Sequence, residues 1–402
     1  MKKVVLAYSG GLDTSVIIPW LREKYGNDLS IVCYAADLGQ GKELEPLKEK
    51  AIKSGANDIY IDDLKKEFLT DYVYPALKAG ALYEGQYPLA TALGRPLIAK
   101  KMVEVALKEN ADAVCHGCTG KGNDQVRFDL AFATLAPHLK IIAPLREWDM
   151  KSREEEIEYA QKHGIDVPVT KQTPYSLDLN LWGQSIECGV LENPWTEPPE
   201  DAYKLTQAPE QASDTPAYIT VSFDKGIPKS VDGTDLEPLE LVEKLAKLGY
   251  DHGIGRIDMV ENRLVGIKSR EIYEAPVATI LFEAHKALEG LTLEREVSHY
   301  KQKMSHDYAN MVYYGQWFSP LRQAMDAFIT STQEWVTGDV RLKLFKGSVT
   351  VVGRKSPNSL YDEALATYTE EDVFDHASAE GFIRCFGLPL QVTGSRDLKS
   401  KK

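Results

Sequence analysis

The sequence predicts an α/β protein: a Rossmann-like, doubly wound parallel sheet followed by a second, α+β domain. Three observations predict it. Residues 1–165 alternate short apolar runs with segments of helical spacing. The composition then shifts at Glu192–Pro216, which holds Pro194, Pro198, Pro199, Pro209 and Pro216 and has no period. Between the first strand and the first helix stands Ser9-Gly10-Gly11, a turn that lets the backbone bend tightly and approach a ligand.

The elements follow in order. Lys2–Tyr8, Leu29–Ala35, Asp58–Ile61, Ala111–Cys115 and Lys140–Ala143 read as strands buried in a parallel sheet. Thr14–Tyr25, Leu44–Ser54, Phe68–Leu82, Leu93–Lys108, Asp124–Leu135 and Ser152–His163 read as helices between and after them. Ser152 with Glu155 three residues on has the capping-box spacing. Glu192–Pro216 is expected to run extended over the surface and to mark a domain boundary. Beyond it, strands are expected at Tyr218–Phe223, Arg256–Val260, Arg341–Phe345 and Ser348–Gly353, with Lys346-Gly347 as a hairpin turn. Helices are expected near Pro238–Leu248, Val277–Leu288 and Leu321–Ser331. A last helix, Ala379–Phe386, looks too short to fold alone, and the basic tail Ser395–Lys402 reads as disordered. The expected division is a nucleotide-binding domain at 1–165, a second domain at 170–365 and a C-terminal segment at 366–402.

Composition narrows the class. The chain has 402 residues, 43% hydrophobic and 27% charged, as a soluble globular protein does. The 47 basic against 60 acidic residues give a net charge of -13, which argues against a nucleic-acid or membrane-surface binder. No apolar run suits a membrane span, and the start of the chain lacks a secretory apolar stretch. Five scattered cysteines suit a reducing, cytoplasmic location.

The sharpest chemistry lies in Ala7-Tyr8-Ser9-Gly10-Gly11-Leu12-Asp13-Thr14-Ser15. The hydroxyls of Ser9, Thr14 and Ser15 and the free N–H groups of the first helical turn make a phosphate cradle. It is neither a Walker A loop nor a dinucleotide fingerprint. The nonapeptide resembles the pyrophosphate loop of the N-type ATP pyrophosphatases, enzymes that split ATP between the α- and β-phosphates. The loop alone does not choose among them, and leaves open a tRNA-thiolating ligase or a non-catalytic nucleotide sensor.

A second cluster runs from His116 through Arg127. Its glycines, Gly117, Gly120 and Gly122, let a loop wrap a ligand, and Lys121 is placed to meet a phosphate. Asn123 and Arg127 share a helix face, where Arg127 suits a carboxylate. Thr119 and Asp124 suit a second substrate, Asp124 through its ammonium. Cys115 and Cys118 form a C-x-x-C, but Cys115 ends a buried strand, which argues against redox function. His252, His299 and His306 lack metal-ligand spacing, and no dedicated protein metal site is expected.

Gly117–Phe128 is similar to the signature G-x-T-G-K-G-N-D-Q-x-R-F of the argininosuccinate synthase family. Further matches are Ala81-Leu82-Tyr83-Glu84, Tyr87, Arg95-Pro96, Ile142-Ala143-Pro144, Tyr175-Ser176, Asn180-Leu181, Gly255–Asp258, Val260–Arg263, Lys268-Ser269-Arg270 and Ile272-Tyr273-Glu274. They run over both expected domains.

The resemblance implies a ligase that joins citrulline and aspartate at the expense of ATP, giving argininosuccinate, AMP and pyrophosphate through citrullyl-AMP, in arginine biosynthesis. It implies ATP binding by Ala7, Tyr8, Ser9, Gly10, Gly11, Leu12, Asp13, Thr14, Ser15, Ala36 and Gly117. It implies citrulline binding by Tyr87, Thr91, Asn123, Arg127, Ser176, Ser185, Glu261 and Tyr273, and aspartate binding by Thr119, Asn123 and Asp124. Asp13, Asp124 and Arg127 are the catalytic candidates, Mg²⁺ accompanies ATP, and segment 366–402 becomes an oligomerisation arm of a homotetramer. One position departs: Ala92 stands where the family commonly has Ser, so either Thr91 or a water substitutes for that hydroxyl, or the contact is missing.

Overall fold

Lys3–Ala7 (β1) lies at the centre of a parallel sheet with β2 (Ser30–Asp37), β3 (Asp58–Asp63), β4 (Ala113–Cys115) and β5 (Lys140–Ile142), in the order β3-β2-β1-β4-β5. The computed structural model describes residues 1–44, 46–150, 152–165 and 175–401. The junction expected between the first two domains, 166–169, lies outside the described residues.

Both faces of this sheet are covered, which is why its strands are continuously apolar. Val4 and Leu6 pack with Ile17, Ile18 and Leu21 of the helix Leu12–Tyr25, whereas Val5 faces the opposite cluster with Leu97 and Phe132. The chain runs from β1 to β2 and β3 on one side, and returns through β4 to β5 on the other. The switch point therefore falls between β1 and β4, where the loops at their carboxyl ends open a crevice.

The rest of the large unit is antiparallel. Its strands are β6 (Ser176–Asn180), β7 (Gly183–Glu187), β8 (Ala217–Asp224), β9 (Ile227–Val231), β10 (Thr234–Asp235), β11 (Arg256–Asn262), β12 (Lys268–Glu274), β13 (Gly338–Phe345) and β14 (Ser348–Lys355). One four-stranded sheet has the order β11-β12-β7-β6, and one five-stranded sheet β10-β9-β8-β13-β14. Lys346-Gly347 turns the last hairpin, with φ of 42° and 83°. The helix Pro238–Asp251 opens with a reciprocal capping box between Glu237 and Glu240.

Two expectations change. Glu192–Pro216 is irregular, as read, but lies within one compact unit, Met1–Asn358. It is tied down by a buried carboxylate: the amides of Lys204 and Leu205 and the Thr206 hydroxyl donate to Glu274 at 2.7–2.9 Å. In the second unit, Ser359–Lys402, the last helix runs over His376–Ser400 rather than Ala379–Phe386, and takes in most of the tail read as disordered. Asp375 caps it at the Ala377 amide, and the helix continues through Pro389 and Gly394.

Candidate active site

At the end of β1 the chain turns at Gly10, whose φ of 75° suits glycine. A Cβ there would come within 2.3 Å of Leu47 Cδ2. Gly11 then enters the helix Leu12–Tyr25 in extended conformation. Ser9 Oγ lies 3.2 Å from Thr14 Oγ1 and accepts from the Gly11 amide at 3.3 Å. Ser15 Oγ donates to the Gly11 carbonyl at 2.8 Å and meets the Tyr8 hydroxyl, and Lys50 Nζ donates to the Gly10 carbonyl. The loop is thus pre-formed, with the first-turn amides directed outward.

Two cavities meet beside it. The first, of about 320 Å³, is bounded by Ala7, Tyr8, Ser9, Thr14, Ala36, His116 and Gly117 at the carboxyl ends of β1, β2 and β4. The second, of about 430 Å³, lies under the β11-β12-β7-β6 sheet. It is lined by Asp13, Tyr87, Thr91, Thr119, Asn123, Asp124, Arg127, Ser176, Ser185, Glu261 and Tyr273. Ser9, Arg95, Gly117, Cys118, Asp124, Leu177 and Asp178 line both.

All eight residues read as citrulline ligands and all three read as aspartate ligands therefore face one cavity. Of the nucleotide residues, Gly10, Gly11, Leu12 and Ser15 line neither cavity; they shape the loop, Leu12 by packing against Val16, Ala160 and Ile165. Lys121 is exposed and lines neither cavity. Ala92 is fully buried in the apolar core, while its neighbour Thr91 lines the second cavity.

The electrostatics of the shared wall are organised by arginine. Asp124 accepts from Arg95 Nε at 2.8 Å with one oxygen and from Arg127 Nη1 at 2.8 Å with the other. Burial opposes its charge, but the two guanidinium groups outweigh it and hold the carboxyl below its ordinary range. Arg95 also pairs with Asp178 of β6. Near the phosphate loop, Asp13 lies beside Glu156 of the helix Arg153–Lys162. Burial, the Asp13 charge and a hydrogen bond between the two raise the Glu156 carboxyl to about 7.

Across the second cavity Glu261 is buried, and each of its oxygens takes a phenol. Tyr273 OH donates at 2.7 Å to Oε2 and Tyr313 OH donates to Oε1. Burial pushes the Glu261 carboxyl up, against the pull of the two phenols and the Arg127 and Arg263 charges. Tyr87 stacks on Tyr273 at 4.1 Å, and its hydroxyl accepts from the Thr91 amide at 3.0 Å. Cys115 and Cys118 are free thiols, and burial raises both well above the ordinary thiol range, which removes the thiolate redox chemistry needs.

Sequence reading missed Tyr313 and Asp178 as site residues, and met Arg95 and Arg263 only as parts of family matches. Tyr313 ends a mostly polar helix, Arg295–Tyr313, and carries no local signal of its role.

A doubly wound sheet with a phosphate loop at its switch point, backed by a polar cavity under a second sheet, defines an enzyme of the HUP-domain class. Residues 3–166 match the arginosuccinate synthase N-terminal HUP domain, and residues 175–393 match the arginosuccinate synthase C-terminal domain. The chain is 59% identical over 401 residues to an argininosuccinate synthase of Chlorobium phaeobacteroides, covering 100% of this chain and 99% of that protein. It is 60% identical to one of Chlorobium luteolum, covering 97% of both, and 58% identical to one of Acetivibrio thermocellus, covering 100% of this chain and 98% of that protein. The chain belongs to the argininosuccinate synthase family, whose members are carbon–nitrogen ligases.

Proposed function

We propose that this enzyme ligates L-citrulline and L-aspartate to argininosuccinate, with ATP cleaved to AMP and pyrophosphate. The observation that carries the reading is the common wall: a phosphate-loop cavity and a cavity lined by Arg127, Glu261 and hydroxyl groups meet at Ser9, Arg95, Gly117 and Asp124. ATP occupies the first cavity, with its β- and γ-phosphates on the loop amides and its α-phosphate at the wall. Citrulline occupies the second, its carboxylate toward Arg127, Tyr87, Thr91, Ser176 and Ser185 and its ammonium on Glu261. Aspartate is held by Thr119, Asn123 and Asp124.

The ureido oxygen of citrulline attacks the α-phosphate, forming a P–O bond as the bond to pyrophosphate breaks. The amine of aspartate then attacks the ureido carbon of citrullyl-AMP, loses a proton, and AMP departs. Holding the reactants in line is worth up to about 7–11 kcal/mol in favourable cases. Asp13, Asp124 and Arg127 are the residues assigned to catalysis. The oxygens of Asp13 and Ser9, which border the same space as the loop, are a hard donor set that suits Mg²⁺ bound chiefly through phosphates. That ion neutralises phosphate charge when bound.

The working organisation follows the expected division: nucleotide domain 1–165, synthetase domain 170–365 and arm 366–402. The arm presents Phe382, Ile383 and Phe386 at 64–76% exposure, which supports assembly into a homotetramer. Among the described residues no helix is long and apolar enough to cross a membrane, and we place the enzyme in the cytoplasm, without nucleic-acid partners. The test is pyrophosphate release from ATP with each amino acid omitted in turn. Release that needs citrulline supports the assignment; release indifferent to citrulline rejects it.

A further inference from the structure

We infer that Tyr313 is a positioning residue that sets the ammonium-binding end of the second cavity, and so selects a ligand carrying a cationic α-amine. The inference rests on the citrulline reading above and assigns a role to a residue outside that ligand set.

The hydrogen bonds around Tyr313 run in one direction. The Leu264 amide can only donate, and it donates to Asn123 Oδ1 at 2.9 Å. That contact orients the Asn123 amide, so Asn123 Nδ2 must donate to the Tyr313 hydroxyl oxygen, 2.8 Å away. The single phenolic proton is then committed to Glu261 Oε1. The Tyr273 hydroxyl serves the other oxygen at 2.7 Å. Glu261 is only 2% exposed, so without these donors its charge would lack solvation. With them, a carboxylate stands ready at the cavity surface for an ammonium ion.

Tyr313 also sets the group assigned to the ligand's carboxylate. Its carbonyl accepts from Arg127 Nε at 3.0 Å, and the Arg127 guanidinium lies 4.9 Å from its ring centre. The ring is itself fixed by stacking on Tyr83, with centroids 3.5 Å apart and planes 5° apart. Gly315, two residues on, has φ of 74° and lies so close that a Cβ would come 2.7 Å from Arg127 Cα. One residue thus holds Glu261, Asn123 and Arg127 together through its hydroxyl, ring and carbonyl, and the hydroxyl can be removed separately.

Tyr313→Phe keeps the ring and the carbonyl but removes the phenol donor. The groups facing Glu261 are then Tyr273 and Glu271 from β12, Arg127 from the helix Asp124–Leu135, Arg263 from the turn after β11, Tyr83 and Tyr87. With one donor gone, the proton is held more tightly on Glu261, and the acid limb of ligand binding moves to higher pH.

The experiment is calorimetric titration of the full-length wild type and Tyr313→Phe across pH, with citrulline and with its des-amino analogue, in the presence of ATP lacking Mg²⁺. Citrulline binding should weaken roughly ten- to hundredfold, the range for hydrogen bonds to a charged group, and its acid limb should shift upward. The des-amino analogue should lose less than about threefold, since it makes no use of the Glu261 charge. Equal losses for both ligands, or an unmoved acid limb, would overturn the inference and leave Tyr313 as packing. Failure of wild type to bind citrulline at all would instead overturn the underlying reading.

Discussion

Arg95 and Asp124 meet at 2.8 Å in the wall between the two cavities, and the second oxygen of Asp124 is held at the same distance by Arg127. This carboxylate orders both guanidinium groups, Arg127 on the second cavity and Arg95 on the wall common to the two.

Asp124→Asn should therefore lower turnover sharply and raise the aspartate KM more than the ATP KM. The stability cost should fall at or below the low end of the roughly 3–5 kcal/mol for breaking a buried pair, because Asp124 keeps 25% side-chain exposure. The sign with pH is fixed by the lowered carboxyl. The wild-type advantage is present above the ordinary carboxylate range and is lost as pH falls through the folded-state value. Thermal melts of both proteins should converge in acid; a gap independent of pH would refute the assignment.

The Glu156 pair behaves in the opposite sense. Its carboxyl is raised from 4.5 to about 7, so the folded state favours the protonated form. The stability this provides is full below about 4.5 and is lost as pH rises through about 7. Glu156→Gln should match wild type in acid and exceed it in stability above neutrality, measured without nucleotide. Asp13→Asn should lower the Glu156 value while cutting turnover, because it removes the neighbouring charge at the phosphate loop. Identical pH profiles for wild type and Glu156→Gln would show that the pair does not titrate in this way.

The parallel half of the fold was legible because each strand and helix carries its own apolar pattern, as in Val4, Val5 and Leu6. Of the strands that roof the second cavity, β11 was read at Arg256–Val260, whereas β6, β7 and β12 were not. In β12, Glu271 and Glu274 are buried beside Ile272 and Tyr273, one carboxylate meeting Arg263 and the other the Lys204 and Leu205 amides and the Thr206 hydroxyl. In β6, Ser176 and Asp178 line the cavity. Strands that face a polar cavity lack the apolar alternation that announces a strand. The helix Arg295–Tyr313 was missed for a related reason: Lys301 is buried at a core position, paired with Glu289 at 2.9 Å. The site residues themselves were legible through the family resemblance, except Asp178 and Tyr313, the latter with partners from segments far apart in sequence.

Thr91 and Ala92 separate two readings of the departed serine. Thr91 lines the cavity and Ala92 is fully buried in apolar surroundings. Thr91→Val, which keeps the shape and the amide bond to Tyr87, should raise the citrulline KM by up to about tenfold. Ala92→Ser should leave that KM unchanged and cost up to about 1–3 kcal/mol if its hydroxyl finds no partner. A fall in citrulline KM for Ala92→Ser would show that position 92 reaches the ligand.

Phe382 and Phe386 stack at 5.4 Å on an exposed face of the helix His376–Ser400. Removing residues 376–402 should dissociate the proposed tetramer into smaller species while the nucleotide fold persists. Light scattering that finds an unchanged tetramer would exclude the arm from assembly.

The chemical order is tested most directly by the fate of one oxygen atom. Citrulline labelled with heavy oxygen in its ureido group is turned over with ATP, Mg²⁺ and aspartate, and the products are weighed by mass spectrometry. If the α-phosphate is attacked by that oxygen at the wall formed by Ser9, Arg95 and Asp124, one heavy oxygen appears in AMP and none in pyrophosphate. Label retained in argininosuccinate, or released in pyrophosphate, would contradict adenylation of citrulline.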